Sequence, residues 1–112
     1  TREDIEIGYI TNVLKKIARE HKIRIFLLQQ LNRTLESRDD KRPILSDLKN
    51  SGNIEEDADI VLGLYRESYY KSSKSKEKEK DETKAEIIVL KNRNGKLGTA
   101  NVYFKMSRSC FK

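Results

Sequence analysis

The first twenty residues show apolar side chains at helical spacing, which predicts an amphipathic helix over Arg2 to Glu20. Acidic residues lie early in this stretch and basic residues lie late, an order that suits the helix dipole. His21 and Lys22 are expected to close the helix. The predicted apolar side consists of Ile5, Tyr9, Ile10, Val13, Leu14, Ile17 and Ala18.

Four later stretches are rich in branched and aromatic residues and predict strands. Residues 23–28 and 59–65 are nearly continuous apolar runs, which is typical of parallel strands buried on both faces. Residues 85–91 and 99–105 flank an Asn-Gly pair at 94–95. Because Asn-Gly readily adopts positive φ, these two strands are predicted to form an antiparallel hairpin. The expected fold class is α/β, with one helix, parallel strands and a C-terminal hairpin.

The connections between the strands differ in character. Residues 29–42 look like a long polar link, and Ile44 to Asn50 a short helical stretch that Ser46 could cap and Gly52 could end. Residues 54–57 predict another helical turn. Residues 71–84 contain six lysines, four acids and no aliphatic residue, so they are predicted to be a disordered charged insertion.

Composition narrows the function without deciding it. Of the 112 residues, 36% are hydrophobic and 38% are charged, which allows only a thin core. The net charge of +6 favours polyanionic partners. Cys110 is the single cysteine and His21 the single histidine, so a reducing compartment is expected and a metal site is not. No apolar run is long enough to span a bilayer.

Two polar stretches are candidates for binding phosphate. The first predicted strand is followed directly by Gln29-Gln30-Leu31-Asn32-Arg33, at the place where ligands bind in open α/β sheets, and a glutamine there can donate to a phosphate oxygen and accept from a water. The alternative is an amide that caps a loop. Lys49, Asn50, Ser51 and the Gly52 backbone could contact phosphates further along. The alternative there is an ordinary surface helix with its C-terminal cap.

Lys91 and Arg93 form the third candidate. At strand spacing, residues i and i+2 point the same way, so both cations are expected to project together from the hairpin tip. Such a pair could neutralise a γ-phosphate during hydrolysis, as an arginine supplied in trans does. The alternative is a solvated hairpin end.

Taken in order, the motifs carry more information than each does alone. The chain contains Gln-Leu-Asn-Arg at 30–33 and Asp-Lys-Arg-Pro at 40–43, the latter followed by Ser-Asp-Leu and Ser-Gly. Next come Ile-Glu-x-Asp-Ala-Asp at 54–59, Leu-Tyr-Arg-x-x-Tyr-Tyr at 64–70 and Lys-x-Arg-Asn-Gly-x-x-Gly-Thr at 91–99. This series resembles the C-terminal part of a DnaB-type replicative DNA helicase, over nearly the whole chain except residues 71–84.

The resemblance implies a RecA-like ATPase domain that assembles as a homo-hexamer around single-stranded DNA, with ATP and Mg²⁺ between subunits. By resemblance, Gln30 couples the γ-phosphate to the DNA-binding region, and Lys49, Asn50 and Gly52 hold the DNA backbone. Arg93 would be the arginine finger and Lys91 a second cation on the same phosphate. The chain departs from the family in having Gln29 where serine is common, and Lys49-Asn50 where Arg-Glu is usual. Lysine keeps the charge but loses the two-pronged geometry of arginine.

No Gly-x-x-x-x-Gly-Lys-Ser/Thr loop occurs, so residues 1–112 are expected to be an incomplete part of the ATPase domain that does not hydrolyse ATP alone. In the family, that loop and the acidic magnesium partner lie upstream. The resemblance implies 5′ to 3′ unwinding at the replication fork, primase and a helicase loader as further partners, and a bacterial cytoplasm or plastid stroma. Two alternatives are a non-enzymatic basic nucleic-acid-binding α/β module and a RecA-like recombinase, and the ordered motifs argue against the recombinase.

Overall fold

The computed structural model describes residues 2–48, 52–70, 82–105 and 110–111. Helix α1 spans Arg2–His21, as the apolar spacing predicted. It ends because Lys22 adopts a left-handed backbone with φ of 53°, and the Ile23 N–H then donates to the Ala18 carbonyl at 3.1 Å. This is a common way for a helix to stop.

The packed side of α1 is only partly the one predicted, since Val13, Leu14 and Ala18 are half-buried there. Ile5, Tyr9 and Ile10 are 74%, 72% and 51% exposed, whereas Thr11 is buried and Ile7 packs against the core. The Thr11 hydroxyl lies 2.6 Å from the Asp57 Oδ2 and donates to it. The helix therefore turns a more polar side toward the rest of the described chain, because a hydrogen bond and one isoleucine anchor it there.

The strand predicted over residues 23–28 does not form, and this prediction was wrong. The segment has no regular structure, and Phe26 and Leu28 are 85% and 93% exposed. A strand needs a neighbour to exchange backbone hydrogen bonds, and no strand in the described part of the chain lies beside this segment. Its apolar run is thus compatible with a strand but lacks the partner that would make one.

The polar link after this segment is more ordered than predicted. A 3₁₀ turn spans Arg33–Ser37, capped by the Asn32 side chain, and a second spans Leu45–Asp47. Ser46 was predicted to cap the second turn. The Asp47 carboxylate does so instead, accepting from the Ile44 N–H at 2.8 Å.

The sheet contains four antiparallel strands in the order β1-β2-β3-β4. They are β1 (Ile60–Arg66), β2 (Glu82–Asn92), β3 (Gly98–Lys105) and β4 (Cys110–Phe111). Two short helices flank β1, namely α2 (Gly52–Asp57) and α3 (Glu67–Tyr70). The predicted β2–β3 hairpin is confirmed. The predicted parallel pairing of residues 23–28 with residues 59–65 is wrong for the described residues, because 23–28 forms no strand and β1 pairs antiparallel with β2.

Two boundaries of the hairpin also differ from prediction. β2 begins at Glu82, so the last three residues of the predicted disordered insertion lie in a strand, and residues 71–81 fall outside the described residues. Five residues connect β2 to β3, and neither Asn94 nor Gly95 has positive φ. The longer connection removes the need for the tight turn that Asn-Gly predicted.

A small hydrophobic core lies between α2, β1 and the neighbouring loops. Its buried members are Leu48, Ile54 and Val61, and the partly buried residues packed on them are Ile7, Leu31, Leu45, Ala58 and Leu90. Only one face of β1 is covered, because Ile60, Leu62 and Leu64 are 57%, 52% and 56% exposed. The prediction that β1 is buried on both faces is therefore wrong for the described residues.

Candidate functional site

A β-bulge in β2 determines which way Lys91 points. Val61 pairs with Lys91 and Leu62 pairs with Val89, so Leu90 has no partner on β1. Strand side chains alternate between faces, and one extra residue reverses that alternation beyond the bulge. Lys91 therefore lies on the covered face of the sheet with Val61, rather than on the exposed face with Leu62.

From this position Lys91 reaches the carboxyl end of α2. Its ammonium group donates to the Glu55 carbonyl and, at 3.3 Å, to the Glu56 carbonyl. The last carbonyls of a helix have no partner within it and carry partial negative charge. Lys91 is half-buried here, so its charge is held against α2 and only partly reaches solvent.

The Arg93 side chain reaches the same carboxyl end of α2. Its backbone N–H donates to the Asp59 carbonyl at 3.0 Å, and its Nη1 lies 2.8 Å from Asp59 Oδ1. Its Nη2 donates to the Glu56 carbonyl at 2.8 Å. Both cations thus meet at Glu56, in agreement with the prediction that they point the same way. The sequence did not indicate that the two cations contact α2; its alternative was a solvated hairpin end.

Asp59 connects this pair of cations to α1. Its Oδ1 also lies 2.5 Å from the Lys15 ammonium, which is 18% exposed. The hydrogen bond from Lys15 lowers the pKa of Asp59, and the charge of Arg93 acts in the same direction. The carboxylate therefore stays ionised at neutral pH. Sequence reasoning did not identify Asp59 or Lys15 as part of the site, because their contact spans 44 residues of chain.

Gln30 is placed by a different set of contacts. Its side chain is exposed and its carbonyl accepts from the Gln29 amide at 3.4 Å. The next residue, Leu31, forms an isolated antiparallel bridge with Leu48, and the Asn32 N–H donates to the Asp47 carbonyl at 2.6 Å. These bonds join the segment after Gln30 to the segment that leads into the predicted DNA-binding loop.

Of the three predicted DNA-binding residues, only Gly52 lies in the described part of the chain. Lys49 and Asn50 lie outside the described residues, and Gly52 is the first residue of α2. Leu48, directly before Lys49, is 8% exposed and belongs to the core. The start of the loop is therefore fixed by packing.

A partly buried ion pair that includes Asp47, two residues before Lys49, was not predicted. The Arg38 guanidinium contacts Asp47 through two parallel bonds of 2.7 Å, and its Nη2 also donates to the Arg42 carbonyl at 2.9 Å. Asp47 is 3% exposed, and its bonds from Arg38 hold its pKa below the usual range. The Ser-Asp-Leu motif marked Asp47 in the sequence, but nothing there indicated Arg38 as its partner.

Arg42 and Pro43 attach the same loop to the sheet. Arg42 Nε lies 3.0 Å from Glu86 Oε2, and its guanidinium stacks 4.8 Å from the centre of the Tyr65 ring. Pro43 lies over Gly63, where an added Cβ would come within 2.7 Å of the Pro43 Cγ. The Asp-Lys-Arg-Pro motif thus fastens the loop to β1 and β2.

Two further findings concern metals and membranes. In the portion of the chain that is described, no group of three or more His, Cys, Asp or Glu side chains is placed to hold a metal ion. None of the described helices combines the length and the apolar character needed to cross a membrane.

Comparison with known proteins identifies the family. The family model described as DnaB-like helicase C terminal domain matches residues 1–112. A "Probable replicative DNA helicase" from Trieres chinensis is 47% identical over 106 residues, which is 95% of this chain and 23% of that protein. "Replicative DNA helicase DnaC" from Bacillus subtilis (strain 168) is 48% identical over 99 residues, 88% of this chain and 21% of that protein.

Solved structures agree with these sequence matches. One, described as "The Structure Of A DnaB-Like Replicative Helicase And Its Interactions With Primase", matches with a TM-score of 0.83 and 42% identity over 96% of this chain and 25% of that one. Another, described as an ATPase domain, matches with a TM-score of 0.79 and 41% identity over 94% of this chain and 35% of that one. These neighbours confirm the predicted RecA-like α/β class. The chain spans about a quarter of the length of the curated relatives it matches, and it belongs to the DnaB-like helicase C-terminal domain family.

Proposed function

We propose that this chain is part of a replicative DNA helicase in which ATP hydrolysis drives movement along single-stranded DNA and unwinding of the duplex from 5′ to 3′. The observation that carries the proposal is the meeting of Lys91 and Arg93 at the carboxyl end of α2, in a chain of this family. Two cations held at one point suit the stabilisation of a polyanion whose charge shifts during reaction.

Arg93 is proposed to contact the γ-phosphate of ATP bound to the neighbouring subunit. Two of the five guanidinium N–H donors are used by Asp59 and Glu56, so three remain for a phosphate. The side chain is 40% exposed and can be approached from outside the subunit. An arginine acting in this way accelerates hydrolysis by about 10³–10⁵-fold in related phosphoryl transfers.

Lys91 is proposed to be a second cation for the same phosphate. Two of its three ammonium donors contact the Glu55 and Glu56 carbonyls, which leaves one for an external acceptor. Its half-buried position makes it the less mobile of the two cations. We therefore assign Lys91 mainly an electrostatic contribution, with Arg93 supplying the directional bonds.

Gln30 is proposed to relay the state of the γ-phosphate to the DNA-binding loop. The bridge between Leu31 and Leu48 supports this role, because it places the segment after Gln30 beside the segment before Lys49. Lys49, Asn50 and the Gly52 backbone are proposed to contact the phosphates of single-stranded DNA. These contacts would read the backbone and not the base sequence.

The complete protein is proposed to be a homo-hexamer, since the cations of one subunit would serve the nucleotide of the next. Primase and a helicase loader are proposed partners; a related solved structure is described with primase. The described residues offer no carboxylate cluster for Mg²⁺, so we assign none of its ligands to them. A bacterial cytoplasm or a plastid stroma is the proposed location.

The test is Arg93→Ala in the complete subunit, with Lys96→Ala in the same connection as the matched control. We expect Arg93→Ala to lower the DNA-stimulated kcat by at least about 10³-fold while ATP binding changes less than about threefold. Lys96→Ala should leave both unchanged. Loss of nucleotide binding together with hydrolysis would contradict the in-trans role, as would a kcat close to that of the unmodified protein.

A further inference from the structure

Asp59 lies where three parts of the fold meet. It follows α2, directly precedes β1, accepts from Lys15 of α1 at 2.5 Å, and contacts Arg93 at the end of β2 at 2.8 Å. Its backbone carbonyl also accepts the Arg93 N–H at 3.0 Å. One residue thus holds both the main chain and the side chain of Arg93.

The contacts of Asp59 and Glu56 together restrict the guanidinium of Arg93. Asp59 takes Nη1 and the Glu56 carbonyl takes Nη2, at 2.8 Å each. Because the two acceptors lie on different residues, rotation of the planar group would break at least one bond. The donors left over are Nε–H and one N–H on each terminal nitrogen. The guanidinium is therefore held in one orientation before any ligand arrives.

Lys15 keeps Asp59 in place. The Lys15 side chain is 18% exposed, and its ammonium bonds the same oxygen that Arg93 contacts. Side-chain donors from α1 and from the end of β2 therefore converge on one carboxylate oxygen. If Arg93 shifts toward a phosphate, Asp59 can stay in position, because its carboxylate is still paired with Lys15.

We propose that Asp59, held by Lys15, is the positioning residue for Arg93 and sets the orientation in which Arg93 meets the phosphate of the neighbouring subunit. This inference rests on the proposed function of Arg93. Asp59 contacts neither nucleotide nor DNA in this role and acts only through Arg93. Preorganised donors lower a barrier because they need no rearrangement at the moment of reaction.

The test is Asp59→Asn in the complete helicase subunit, alone and combined with Arg93→Ala, assayed by phosphate release from radiolabelled ATP so that residual rates can be measured. Alone, the substitution is expected to lower kcat by about 10-fold with KM within about twofold. In the Arg93→Ala background it should change kcat by less than about twofold, since the group it positions is gone. Lys15→Met should lower kcat in the same direction by a smaller factor.

Glu20→Gln is the control, because it neutralises an exposed carboxylate on α1, the helix that carries Lys15, away from Arg93 and the DNA-binding loop. It should leave kcat unchanged. An equal loss from Asp59→Asn with and without Arg93 would overturn the proposal in favour of a purely structural role. A kcat that is unchanged or raised would also overturn it, the latter showing that Asp59 restrains Arg93. If Arg93→Ala keeps full activity, the proposed role of Arg93 and the positioning role of Asp59 both fail. If Arg93→Ala loses activity but Asp59→Asn leaves kcat unchanged, only the positioning role fails.

Discussion

Replacing Asp47 with asparagine tests whether the Arg38–Asp47 ion pair stabilises the segment that precedes the proposed DNA-binding loop. Asp47 accepts three bonds, two from Arg38 at 2.7 Å and one from the Ile44 N–H at 2.8 Å. An asparagine of the same shape has one acceptor oxygen in place of two and adds an NH₂ group. At least one of the three donors would then face another donor in a site that is 3% exposed.

The size of the loss follows from these contacts. A hydrogen bond to a charged group contributes about 1.5–3 kcal/mol net. Removing one partner of a fully buried ion pair costs about 3–5 kcal/mol. The Arg38 side chain is 34% exposed and keeps its bond to the Arg42 carbonyl, so water can replace part of what it loses. We therefore expect Asp47→Asn to lower the free energy of unfolding by about 2–3 kcal/mol at neutral pH.

The same pair predicts a pH dependence. The bonds from Arg38, and secondarily the Ile44 N–H, lower the pKa of Asp47 in the folded state. A carboxyl group whose folded pKa is depressed stabilises the fold fully above its unfolded pKa, which is near 3.9. That contribution is lost as the pH falls through the lower folded value. The difference between wild type and Asp47→Asn should thus be constant between about pH 5 and 8 and shrink below about pH 4.

Urea unfolding of the ATPase domain that contains this chain, followed by circular dichroism, measures both effects. Asp40→Asn is the control, since Asp40 pairs with Arg42 in the same loop but its side chain is 68% exposed. The control should leave the urea midpoint nearly unchanged. The reasoning is refuted if Asp47→Asn destabilises no more than Asp40→Asn, or if its effect is as large at pH 3 as at pH 7.

Two further substitutions test the DNA loop and the attachment of Pro43. Lys49→Ala should weaken binding of single-stranded DNA and reduce the slope of log K against log salt by about 0.7, because one phosphate contact and its counterion release are lost. The control Lys22→Ala should leave both the affinity and the slope unchanged. An unchanged slope for Lys49→Ala would favour the alternative of a surface helix. Gly63→Ala should lower the free energy of unfolding by about 1–3 kcal/mol, since its Cβ would lie 2.7 Å from Pro43 and 3.1 Å from Leu90. Gly98→Ala meets no atom within 4 Å and should be close to neutral in the same urea titration.

Two of the elements that the sequence predicted correctly have their partners nearby in the chain, whereas β1 was also predicted as a strand although its partner β2 begins only at Glu82. Helix α1 needs only its own backbone bonds, and the β2–β3 hairpin needs a strand that follows within a few residues. The segment 23–28 has the same apolar character but no adjacent strand among the described residues, so its pattern alone could not make it a strand. Local pattern thus predicted α1 and the β2–β3 pairing, and it predicted β1 as a strand without predicting its antiparallel partner.

The candidate site was also predicted only in part. Lys91 and Arg93 were identified from their spacing and from a family motif, and the structure places both at α2. The bulge at Leu90 that aims Lys91 was not predicted, because it depends on the register between β1 and β2. Arg38 and Asp59 were missed for a related reason, since any of the 24 cations in the chain could have paired with a given carboxylate. A single sequence does not specify which charges meet.

The small core explains how a chain with so few buried residues can position several functional groups. Leu31 follows Gln30, Leu48 precedes Lys49, and Leu90 precedes Lys91, and all three leucines pack in or against the same cluster. Packing of a leucine side chain also fixes the backbone on either side of it, and Gln30, Lys49 and Lys91 are each the immediate neighbour of one of these leucines. We therefore expect a cavity at any of these leucines to loosen the backbone beside a residue that is proposed to contact nucleotide or DNA. In this chain, the polar residues of the motifs are thus interleaved with the apolar residues that hold them.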